Sequence, residues 1–115
     1  MKLPKNFPLT TRELRAALSS RYWCVSGYGT KELGLCPIGA VAQLRGVPFE
    51  IRSGTYMSKI DATEAQDETL WRASEDMARA FGYQRDCDFL DALAQRGPRL
   101  QKLVIARLKK QGIEV

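Results

Sequence analysis

The sequence predicts a mainly α fold, about five short helices in one compact domain over residues 1–115, preceded by a short extended N-terminal arm (1–9). Three observations lead there. A chain of 115 residues with 44% hydrophobic and 27% charged side chains is one globular domain, long enough to bury roughly two-thirds of its unfolded surface. Five segments carry apolar residues at helical spacing, most bounded by a capping residue or proline at the start and glycine at the end. Strand-like composition is confined to residues 22–25 and 49–57, which leaves room for one small antiparallel β element.

The first helix opens at Thr10, whose partner Glu13 completes a Thr-x-x-Glu capping box, with Leu9 and Leu14 placed as a hydrophobic staple. Leu14, Ala17 and Leu18 form its buried stripe, Arg12, Arg15 and Ser19 its wet face, and the helix ends near Ser20. Tyr22, Trp23, Cys24 and Val25 then read as strand or ordered loop, and the stretch from Ser26 to Thr30 as a glycine-punctuated turn. A second helix begins at Cys36 and Pro37, where a missing amide costs nothing, and stops at Gly46. Gly39, Ala40 and Ala42 make it narrow enough to lie close to a neighbour.

A strand pair is expected at residues 49–52 and 55–57 around Ser53 and Gly54. Asp67 is expected to cap a third helix that runs through Phe81, with Leu70, Ser74, Met77 and Phe81 inward, Trp71 and Ala78 beside them, and Gly82 as the stop. Asp86 is expected to cap a fourth, which buries Phe89, Leu90, Leu93 and Ala94 and ends at Gly97. Pro98 opens the fifth, with Leu100, Leu103, Val104 and Leu108 inward, Gly112 as the stop and Ile113 as an apolar clasp.

Composition excludes several chemistries. There is no histidine, hence no histidine-based zinc site and no Ser-His or Cys-His pair. Cys24, Cys36 and Cys87 are odd in number and lack a C-x-x-C pair, so neither a disulfide framework nor a metal is expected, and no cofactor. The longest aliphatic run, Leu103 to Ala106, is far too short to span a bilayer, and the first eight residues hold no signal-like apolar stretch. The expectation is a cytoplasmic protein without a membrane partner.

Charge is segregated. Residues 1–59 hold nine basic and three acidic side chains, residues 60–91 three and nine, and residues 92–115 six and one. Such blocks give a dipolar surface unless the fold brings them together. Arg96, Arg99, Lys102, Arg107, Lys109 and Lys110 lie within fifteen residues without an acid among them, and Arg99, Lys102 and Lys109 share one helical face. This strip is either a solvated face partly paired with the acidic block or the candidate binding surface. Tyr22, Trp23 and Tyr28 are either candidate aromatic contacts or the filling of a small core.

Other patterns are weighed and set aside. The Ala78 to Gly82 spacing fits a helix-turn-helix, but Asp86, Asp88 and Asp91 on the following helix would face phosphates. The glycine-rich run at 26–31 lacks the Gly-x-x-x-x-Gly-Lys spacing of a phosphate loop. Cys36, at a helix start, is a candidate thiolate, but it has no histidine base and reads better as a small buried residue.

The run from Leu14 through Trp23 to Cys36, Pro37, Ile38, Gly39 and Ala40 resembles a pattern in small uncharacterised bacterial and phage proteins. In these a helix leads to a tryptophan, a glycine-rich turn and a Cys-x-x-Gly-Ala helix start. The resemblance implies tight packing of the second helix on the first and a phage or mobile-element setting, and it carries no activity. The expected function is a non-enzymatic interaction protein, an inhibitor or adaptor that occupies a host protein. The alternative is a nucleic-acid binder that uses its basic segments without base readout. A Cys36-dependent enzyme ranks third.

Overall fold

A computed structural model describes residues 2–25, 27–52, 54, 56–60 and 63–114. Its helices are α1 (Thr11–Ser19), α2 (Pro37–Leu44), α3 (Glu64–Ala80), α4 (Asp86–Arg96) and α5 (Pro98–Lys110). Two hairpins accompany them, β1 (Gly29–Thr30) with β2 (Gly34–Leu35), and β3 (Phe49–Arg52) with β4 (Tyr56–Lys59). They join through β1 and β4 into one antiparallel sheet of order β2-β1-β4-β3. The mainly α expectation holds, and the β part is larger than the single small element expected.

Local chemistry sets the helix ends. The Thr10–Glu13 capping box is present in both directions, at 3.1 and 3.0 Å. α2, α3 and α5 end in the same way: the glycine after the cap takes positive φ, its amide bonds two residues into the last turn, and the next apolar amide bonds one residue deeper. The pairs are Val47 to Ala42, Tyr83 to Ala78 and Ile113 to Leu108, all at 2.8–3.0 Å. Val47 and Ile113 are fully buried as the apolar clasps of their motifs.

Three expectations are corrected, and of the two readings for residues 22–25, strand or ordered loop, the structure takes the loop. The third helix starts three residues before Asp67, because Thr63 and Gln66 form a second capping box; Asp67 instead bonds Lys59. Asp86 is the first helical residue of α4, with Arg85 at the cap position. Residues 22–25 are irregular backbone, since Tyr22 bonds Ser20 Oγ through its amide and Trp23 turns inward. The arm before α1 is turned rather than extended: Phe7 N–H donates to Pro4 O, and Leu3, Phe7 and Leu9 pack on the core. Of the second hairpin, Ser53 and Thr55 lie outside the described residues, as does Ser26 in the glycine-punctuated turn.

α1 packs on α2, α2 on α3, α3 on α4 and α4 on α5, around one apolar core. Trp23 is its largest member, stacked at 6.2 Å on Phe81 and edge-on at 6.3 Å to Phe89. Gln101 fastens α5 to the end of α1, where its Nε2 donates to Leu18 O at 2.6 Å and Ser20 O at 3.2 Å. Gln101 thereby satisfies the Leu18 carbonyl in the last turn of α1.

Candidate functional site

A cleft of about 510 Å³ opens between α2, α3, α4, β4 and the loop that carries Tyr28. Its floor is Cys36, Ile38, Ser74 and Leu93, all buried. Cys24, Tyr28, Leu70 and Leu90 form half-buried walls. At the rim Val25 is 47% exposed and Trp71 54% exposed. Large apolar side chains left in water around a hollow are the mark of a binding surface rather than of core packing.

Each wall has a local cause. The i, i+4 spacing of Leu70 and Ser74 on α3 places both on the cleft side, with Trp71 one position outside that stripe. Tyr28 leans on Phe49 at 5.4 Å and so is held at the cleft wall by the β3–β4 hairpin. Lys59 Nζ donates to Asp67 Oδ1 at 2.6 Å across the rim. That hydrogen bond, and then the nearby Tyr28 phenol, keep the ammonium above its ordinary value of 10.5. β4 and α3 are thereby tied together on one side of the hollow.

Cys36 sits on the floor as the N-cap of α2, where its Sγ accepts from Gly39 N–H at 3.3 Å. Burial pushes its thiol above the ordinary 9.0, and the backbone bonds do not offset that. Burial thus favours the neutral thiol despite the helix start. No histidine stands by, and the Lys59–Asp67 pair is mutually satisfied. The cleft is lined mainly by apolar side chains, with the Lys59–Asp67 pair at its edge. Among the described residues no group of three or more cysteines or carboxylates is placed to hold a metal ion, and no helix is long and apolar enough to cross a membrane. A scan against protein-family models, a search of curated proteins and a search of solved structures return no match.

The sequence candidates fall in four places. Tyr28 lines the cleft. Tyr22 and Trp23 are core residues, 8% and 2% exposed, which corrects their assignment as surface contacts. Burial also pushes the Tyr22 phenol up. The indole Nε1 of Trp23 is buried with no hydrogen-bond partner among the described residues. Arg99, Lys102, Lys109 and Lys110 are all exposed on α5. Arg96 stands apart from them, beside Asp88, Asp91 and Arg107 in a hollow of about 270 Å³, where Arg107 lies over the Tyr83 ring at 5.4 Å.

Val25, Leu70 and Trp71 are the site residues that sequence reasoning missed. One signal was available for Trp71: it lies beside the buried stripe of its helix, where a tryptophan is costly to leave wet.

Proposed function

We propose that the protein is a non-enzymatic binding protein of the cytoplasm, an inhibitor or adaptor, whose protein partner inserts apolar side chains into the Trp71 cleft. The observation that carries this reading is Trp71, a tryptophan 54% exposed at the mouth of an apolar hollow of about 510 Å³. Tryptophan is the residue most enriched among interface hot spots, and partly solvated rims surround them. Tyr28 and Leu70 supply the walls of such a pocket, and the Lys59–Asp67 pair supplies a polar edge.

Affinity capture tests it, with wild-type protein compared against Trp71→Ser and Val25→Ser. Loss of a captured protein with both variants, while their circular dichroism stays native, is the expected result. A partner retained by both would move the interface elsewhere. The volume also falls within the range of small-ligand pockets. A small molecule that co-purifies with the wild type, and no protein, would replace the partner with an apolar ligand.

A further inference from the structure

The second unpartnered surface of the molecule is electrostatic. At about 100° per residue, Leu100, Val104 and Leu108 centre the buried face of α5, while Arg99, Lys102, Ala106, Lys109 and Lys110 occupy the opposite arc. All five are exposed. None of the ion pairs among the described residues involves these four cations. Four carboxylates of the acidic block, Asp67, Glu68, Asp76 and Asp88, are instead met by Arg45, Lys59, Arg72, Arg79 and Arg85. The fold therefore leaves the charge segregation of the sequence uncancelled at α5. Arg99 and Lys102 form one pair and Lys109 and Lys110 another, centred about 13 Å apart at the helical rise, with only Ala106 between them on that arc.

We propose that this face of α5 binds the phosphate backbone of a nucleic-acid duplex without reading its bases. The two cation pairs are separated by about the 12 Å width of a major groove, so they can reach phosphates on both of its sides. The short Ala106 side chain lets the helix approach. An acidic protein is the poorer fit. Among the described residues the exposed large hydrophobics are Val25, Leu44, Ile51, Tyr56 and Trp71, none of them on α4 or α5. Protein interfaces draw their energy from buried apolar and aromatic anchors, whereas phosphate contacts need charge alone. The inference does not depend on the cleft.

Fluorescence anisotropy with a labelled random-sequence 20-base-pair duplex and the full chain tests it. Micromolar affinity at physiological salt is expected, the ordinary range for binding without base readout. With four phosphates engaged, affinity should fall about 100-fold between 50 and 200 mM salt. Lys102→Gln should lower the slope of log affinity on log salt by about one. The variant combining Arg99→Gln, Lys102→Gln, Lys109→Gln and Lys110→Gln should lose binding. Arg72→Gln on the acidic helix and Trp71→Ser should change nothing, which separates this surface from the cleft. Absence of binding at 50 mM salt, a salt-independent affinity, or a fourfold variant that binds like wild type would overturn the proposal. Poly-glutamate displacing the duplex better than unlabelled duplex would also overturn it, and would hand the face to an acidic protein.

Discussion

Arg45 grips Glu13 with two hydrogen bonds, Nε donating to Oε2 at 2.7 Å and Nη2 to Oε1 at 3.2 Å. Its remaining donor, Nη1, reaches Asp76 at 2.9 Å. Arg45 caps the end of α2, Glu13 belongs to the capping box of α1, and Asp76 lies on α3. One guanidinium thus joins three helices, and its planar fork makes the geometry one that lysine cannot copy.

Arg45→Met is expected to destabilise the protein by about 2–4 kcal/mol, since it leaves Glu13 buried and uncompensated. Arg45→Lys should recover less than half of that. Urea denaturation midpoints check both, and equal midpoints for wild type and Arg45→Met would remove the node from the account.

The same node sets an acid limit. Burial alone would raise the Glu13 carboxyl, but the Arg45 and Thr10 hydrogen bonds outweigh it, and the net value lies below the ordinary 4.5. A depressed carboxylate stabilises fully above its unfolded pKa, and that contribution is lost as pH falls through the folded value. Stability should therefore drop below about pH 4.5, more in the wild type than in Glu13→Gln. Thermal melts from pH 7 to pH 3 measure it.

The two tryptophans should separate cleanly. Trp23→Ala removes the centre of the aromatic cluster with Phe81 and Phe89 and is expected to cost about 3–5 kcal/mol. Trp71→Ala, half in solvent, should stay within about 0.5 kcal/mol. A destabilisation by Trp71→Ala as large as that of Trp23→Ala would make Trp71 a packing residue.

Gly29 is the position where a side chain has no room. It sits at φ 142°, and an added Cβ would lie 2.0 Å from Gly34 O. Gly29→Ala should break the β1–β2 pairing and cost on the order of 3 kcal/mol, whereas Gly27→Ala, in open space at φ 77°, should cost about 1 kcal/mol. Chemical denaturation of the two variants compares them directly.

What was legible in the sequence is what local chemistry decides. Thr10 with Glu13, Pro37, Gly46, Gly82, Gly97, Pro98 and Gly112 each act on the backbone within a few residues, and the helix ends follow them. Asp67 and Thr63 are both competent caps for α3; Thr63 takes the position in a capping box with Gln66, and Asp67 pairs with Lys59 from β4. Gly29 and Gly34 have poor strand propensity, so their pairing comes from the tertiary fold and not from their own sequence. An aromatic in a glycine-rich loop is equally suited to core or surface. For Trp23 the choice is made by Phe81 and Phe89, which come from the opposite half of the chain. The cleft draws on five separate segments, and no single one of them announces it.

The central claim is that the Trp71 face meets a protein partner, and site-specific photo-crosslinking tests it most directly. A benzophenone side chain is placed at Glu68, exposed one turn before Trp71 on α3, or in a matched control at Ala106 on α5, and the native host cells are irradiated. One discrete protein adduct is expected from position 68 that does not form from position 106. No adduct from position 68, or the same protein adduct from both positions, would contradict the protein-partner reading.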